Sequence, residues 1–124
     1  MGQPKALKEF PKRGEVYLVR FDPTVGAEIR KTRPALVVQN DIGNRFGETT
    51  IVAAISSTLK LPLSPVAVLI PGREGGLEAD SLVRLDHLRS VDKSRLLRRL
   101  GTVSAETMHD VDQAIAISLG LVAL

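Results

Sequence analysis

Cysteine and tryptophan are absent from these 124 residues, histidine occurs twice, and the only aromatic rings are Phe10, Tyr17, Phe21 and Phe46. Lack of cysteine excludes disulfides, zinc–thiolate sites and cysteine nucleophiles, so a reducing, cytoplasmic setting is expected. So few rings exclude an extended base-stacking platform of the RRM kind. The first fourteen residues, MGQPKALKEFPKRG, lack the apolar stretch of a secretory signal, and Ala6 stands where a myristoylation motif wants Ser or Thr. The longest apolar-rich run, 114–124, is broken by Ser118 and Gly120 and falls short of the ~20 residues that span a bilayer. It reads as the end of a core helix. There is no Gly-rich phosphate loop, HExxH pair or GxSxG elbow, so nucleotide hydrolysis, zinc proteolysis and esterase chemistry lack support.

What is present fits one domain with a hydrophobic core of its own. The net charge is only +3, but the basic residues are segregated. Residues 1–33 carry eight Lys/Arg against four acids, residues 84–99 carry six (Arg84, Arg89, Lys93, Arg95, Arg98, Arg99) against Asp86 and Asp92, and residues 105–124 carry three acids and no base. Such a layout can build a positive face for a polyanion; an ordinary solvated surface is the plain alternative.

Residues 1–13, with Pro4, Pro11 and several lysines, read as a flexible N-terminal arm, and 14–124 as the folded domain. After Gly14, EVYLVRF alternates as a strand does, until Asp22-Pro23 stops it. Residues 24–32 have no period and form a candidate lid loop. Arg33-Pro34 then leads into ALVVQ, a strand entered through proline. Residues 40–44, NDIGN, carry turn chemistry. TTIVAAIS barely alternates, which predicts a central strand buried on both faces. Further strands are expected at 66–70, 81–85 and 96–103. Met108, Val111, Ile115, Leu119 and Val122 recur at helical spacing, with Ser104 as N-cap and Glu106 in the first turn. The fold class is therefore mostly β, an SH3-like barrel or strongly bent antiparallel sheet closed by one C-terminal helix.

Catalytic side chains are scarce. His109 and Asp112, at i, i+3, are too few for a metal site, and His87 reads as a surface residue. Arg33 sits between a polar loop and a buried strand, where a guanidinium can clamp a phosphate and stabilise charge on phosphorus; an ion pair with Glu28 or Asp80 is the plain alternative. Ser56, Ser57 and Thr58 end the buried strand and either present hydroxyls at its rim or are simple strand-end polarity.

Read together, GEVY, FDP, VGAE and KTRPALVVQND in that order, then TTIVAAIS and the 77–104 segment, resemble the MazF/PemK family of toxin endoribonucleases over 13–121. The resemblance implies an SH3-like barrel, a two-fold homodimer, cleavage of single-stranded RNA (mRNA) at short motifs, and a cognate antitoxin whose tail occupies the RNA channel. It implies a metal-independent reaction with no cofactor, in which the ribose 2′-hydroxyl attacks the adjacent phosphorus to leave 2′,3′-cyclic phosphate and 5′-hydroxyl ends. The family's catalytic Arg falls on Arg33. Its catalytic Thr falls on Ser56, a departure that keeps the hydroxyl, and Ser57 or Thr58 can share the role. Glu28 matches the family's GxE and is a candidate for loop positioning or proton handling. Phe21 either stacks a base or belongs to the core; Gln39 either reads a base edge or caps its strand; the basic 84–99 segment either steers RNA or lies on the outer surface. The rival functions are a non-catalytic binding protein on the same fold, such as a gyrase inhibitor, and a purely structural dimer module.

Overall fold

A computed structural model describes residues 9–21, 32–59 and 62–123. Among these residues six strands form one antiparallel sheet: β1 (Glu15–Arg20), β2 (Thr32–Val37), β3 (Thr49–Ser56), β4 (Ala67–Ile70), β5 (Ser81–Asp92) and β6 (Leu96–Thr102). Helix α1 (Asp41–Phe46) joins β2 to β3, and α2 (Ala105–Ser118) follows β6. The spatial order is β4-β5-β3-β2-β1-β6. The sheet is bent and barrel-like but not closed, since β4 and β6 remain edges.

The predicted central strand TTIVAAIS lies in the interior of that order, and its burial explains its lack of alternation. Ala53 and Ile55 face one core with Val16, Leu36, Val83 and Leu85, over which Val111 and Ala114 of α2 close. Val52 faces a second core on the other side, with Val19, Phe21, Ala35, Val37 and Val91. Apolar side chains on both faces of one strand leave no polar position to mark the period. Burying a Leu or Val of this kind contributes about 1.5–3 kcal/mol.

Three elements differ from their sequence reading. The 40–44 "turn" is the start of α1: Asn40 is its N-cap and accepts the Gly43 amide at 2.7 Å, because the residues that favour turns also cap helices. Strand β5, expected to stop at 85, continues to Asp92. The continuation carries Asp86, His87, Arg89 and Asp92, all exposed, at and beyond a bulge where pairing jumps from Ala53↔Leu88 to Ile55↔Val83. Helix α2 stops at Ser118, so Leu119 and Val122 lie outside it and are exposed. Gly120, at φ +76°, ends it: the Leu121 amide donates to Ala116 O (2.8 Å) and the Gly120 amide to Ile117 O (3.1 Å), the left-handed stop that glycine favours.

The predicted arm is anchored at its end. Arg13 donates from its amide to Asp41 (2.7 Å), from Nε to Val38 O (2.8 Å) and from Nη2 to Asp112 (2.6 Å), and Pro11 is buried. The docked chain thus begins before Gly14.

Candidate active site

Arg33 precedes a proline, which bars it from helical backbone and holds it extended. It pairs with Val19 of β1, and it alternates with Ala35 and Val37, so it points to the face opposite α2. The β2–β3 register runs Val37↔Val52, Leu36↔Ala53, Ala35↔Ala54. Continued by two residues, it sets Arg33 opposite Ser56. Both line a cleft of about 310 Å³ with Thr32, Pro34, Ser57, Thr58 and Ser81. Two residues remote in sequence are thus brought together by strand pairing alone.

The strand end is shaped by a local hydrogen bond, from the Thr58 amide to Ser56 Oγ at 3.0 Å. That bond occupies an acceptor lone pair and leaves the Ser56 hydroxyl proton free to donate. Arg33 is exposed and has no side-chain ion-pair partner among the described residues. Asp80, one of its two candidate partners, instead accepts the Gly72 amide at 2.7 Å. Glu28, the other, lies outside the described residues.

Clefts adjoin on either side. One, of about 440 Å³, shares Ser56 and Thr58 and adds Pro62, Ser64, Ala67, Leu82 and Arg84. The other, of about 580 Å³, shares Pro34, Ser57 and Ser81 and adds Leu18, Arg98 and Arg99. Together they form a groove of hydroxyls and guanidiniums across the strand ends. Arg84 is clasped by Asp86, Nε to Oδ1 at 3.0 Å and Nη2 to Oδ2 at 2.8 Å, a hydrogen-bonded pair that lowers the Asp86 pKa and raises that of Arg84. Arg99 pairs with Glu15 at 3.2 Å.

Two residues expected to contact RNA have partners within the fold. Phe21 is 7% exposed within the second core, and the Arg89 guanidinium lies 4.7 Å over its ring, so the core reading of Phe21 is the one observed. Gln39 lies past the far end of β2, roughly 20 Å from Arg33 at the rise of an extended strand. Its amide donates to Asn44 Oδ1 and Thr49 O, both at 3.0 Å, which ties β3 to α1. The basic 84–99 segment divides: Arg84, Arg98 and Arg99 line the groove, whereas Arg89 covers Phe21 and Arg95 reaches Arg20 O. Arg84, two residues from Leu82 in the same strand, shares its face. His109 contacts Gln113 at 3.3 Å, and His87 is an exposed neighbour of Asp86.

A guanidinium opposite a hydroxyl across a strand pair can bind a phosphodiester. Residues 12–119 match the PemK-like, MazF-like toxins of type II toxin-antitoxin systems. The chain belongs to this family. Endoribonuclease EndoA of Bacillus subtilis (strain 168) is 44% identical over 111 residues, which cover 90% of this chain and 96% of EndoA. Among solved structures, a MazE-MazF complex from Deinococcus radiodurans superposes with a TM-score of 0.78 at 27% identity, covering 92% of this chain and 99% of the other. An endoribonuclease in complex with its cognate antitoxin, from Mycobacterial species, gives 0.75 at 26% identity, covering 92% and 99%. No helix among the described residues is long and apolar enough to cross a membrane.

Proposed function

We propose that this MazF/PemK-family chain is an endoribonuclease toxin that cleaves single-stranded RNA at the Arg33–Ser56 cleft. The observation that carries the reading is the placement of those two side chains opposite each other at one rim. In the reaction, the ribose 2′-oxygen bonds to the adjacent phosphorus as its proton departs, and the bond from phosphorus to the 5′-oxygen breaks. The products are a 2′,3′-cyclic phosphate and a 5′-hydroxyl that has gained a proton. Arg33 stabilises the charge that builds on the phosphoryl oxygens, and the Ser56 hydroxyl donates to one of them. The positive charge set against those oxygens comes from a guanidinium whose fork matches phosphate geometry, so the proposed chemistry uses no metal. Ser57 and Thr58 supply further hydroxyls, and the need for a 2′-hydroxyl excludes DNA as substrate.

The active species is a cytoplasmic homodimer neutralised by a cognate antitoxin. Exposed Leu97, Leu119, Leu121 and Val122 offer apolar surface for a second copy, and two of the superposable relatives were solved with antitoxins. A gyrase-directed or otherwise non-catalytic binder gives no account of a guanidinium set against a hydroxyl in a cleft.

The test is incubation of the purified, antitoxin-free chain with a long single-stranded RNA in EDTA, followed by analysis of product ends. Discrete cuts with cyclic-phosphate ends are expected, with kcat reduced roughly 10²–10³-fold in Arg33→Ala, the range for loss of one charge-stabilising donor. A folded native chain that cuts none of several diverse RNAs refutes the proposal.

A further inference from the structure

The cleft beside the catalytic pair has the makings of a base-reading subsite. Its walls are Pro62, Ala67 and Leu82, its polar groups the hydroxyls of Ser56, Thr58 and Ser64, and its one cation among the described residues Arg84. A volume of about 440 Å³ falls within the ~300–1,000 Å³ range of small-molecule sites, which pair apolar walls with a few placed polar groups in this way. Ser56 borders both this cleft and the one holding Arg33, so an occupant here adjoins the scissile phosphate.

Arg84 is held in a defined pose. Strand alternation sets it on the same face as Leu82, whose pairing partner is Ser56. Asp86 binds it side-on through Nε and Nη2. The end-on edge, Nη1 with the outer hydrogen of Nη2, has no hydrogen-bond partner among the described residues. The carboxylate largely cancels the guanidinium charge, so a phosphate gains little here. A pair of neutral acceptors gains two aligned donors whose orientation is already fixed. Guanine O6 and N7 are such a pair, and bidentate arginine is their commonest partner; adenine places an amino donor where O6 would be. We infer that Arg84, clasped by Asp86, reads a guanine at a fixed position beside the cut. The inference rests on the nuclease reading above and assigns part of its sequence specificity to this cleft.

The experiment maps every cut made by the native chain in a long RNA, then measures kcat/KM on oligonucleotides carrying guanosine, adenosine, inosine or 7-deazaguanosine at the shared position. Inosine keeps O6 and N7 and cuts like guanosine; adenosine costs roughly ten- to hundred-fold, the usual discrimination of a bidentate contact, and 7-deazaguanosine falls between. In Arg84→Ala the four substrates converge, while the salt dependence of binding is unchanged. The nucleotide series uses the native protein, so it stands even if Arg84→Ala folds poorly, and Arg84→Gln retains most of the side-chain volume. A native motif with no fixed guanine, or with cytosine or uracil at the position, overturns the inference. So does an Arg84→Ala that weakens all sites evenly and lowers the salt slope by about one, the mark of a phosphate contact. A native chain that leaves every RNA intact overturns the nuclease reading and this inference with it, and is recognised by absent products rather than an altered motif.

Discussion

Asn44 is fully buried, yet every polar atom of its amide is matched. Its oxygen accepts from Thr50 Oγ1 (2.6 Å) and Gln39 Nε2 (3.0 Å), and its nitrogen donates to Gln39 O (2.9 Å) and Asp41 Oδ1 (3.2 Å). Asn44→Ala deletes all four. At a net ~1 kcal/mol per bond, less ~0.5 kcal/mol for the better helix propensity of alanine, the loss is about 3–4 kcal/mol. The burial of Thr50, now without an acceptor, keeps it from the low end. For a domain of this length that is a fall in Tm of roughly 10–15 °C. Asn44→Asp keeps the shape but turns two donors into acceptors facing Gln39 O and the Asp41 carboxylate, so at neutral pH it is expected to be at least as damaging as alanine. Thermal and urea unfolding of the three proteins, at one fixed concentration because association shifts Tm, decides the matter. RNA cleavage per folded molecule should be retained in both variants, since the network lies far from Arg33. A loss below ~1 kcal/mol in Asn44→Ala refutes the hydrogen-bond account, and so does an Asn44→Asp as stable as the native chain.

Glu74 ties the 74–76 turn to the start of α2: burial pushes its pKa up, but hydrogen bonds from Thr107 and from the Ser104 amide and hydroxyl more than offset this and leave it below the ordinary value. A lowered folded pKa gives stability that is present above the unfolded carboxylate value, about 4.3, and lost as pH falls through the folded one; Glu74→Gln should flatten that acid limb of a Tm–pH profile, and an unchanged limb counts against the latch. Tyr17, the only tyrosine, has its pKa raised by burial and by the neighbouring Glu15. Its phenolate absorbance should therefore titrate above pH 10 in the folded chain, and stability should decline as pH rises past the unfolded value of about 10. A midpoint at or below 10 contradicts this. Gly76 has φ +77°, and an added Cβ would lie 2.0 Å from Leu100 O; Gly76→Ala should cost more than about 3 kcal/mol from strain and clash combined, measured by urea unfolding, and a near-neutral result would show that the turn can move.

The elements with strong local signals were legible. TTIVAAIS announced a central strand because both its faces are dry, and α2 announced itself through Ser104 and the spacing of Met108, Val111 and Ile115. Arg33 stood out because a proline fixed it beside a buried run. That Ser56 is its partner came from the family resemblance and not from the residues themselves, because strand register is a tertiary property. The far half of β5 was missed for a related reason: a charged strand segment beyond a bulge looks like a loop until its partner is known, and which of the basic 84–99 residues line a cleft depends on the same register. Gln39 reads as a base reader or strand cap and Asn44 as turn chemistry, because amide side chains do not reveal in sequence that they will bond to each other around one buried group.

Strand β1 lies between β2 and β6, with Glu15 paired to Thr102. The first strand to be made therefore waits for the last. Until residue 102 has been synthesised, one edge of β1 is unpaired, and the core beneath α2 stays open until that helix arrives. Pairings so distant in sequence slow folding, and the unpaired edges are where such chains associate wrongly. The order of strands in space thus sets a timetable: the groove that holds Arg33 gains its full support only after nearly the whole chain exists.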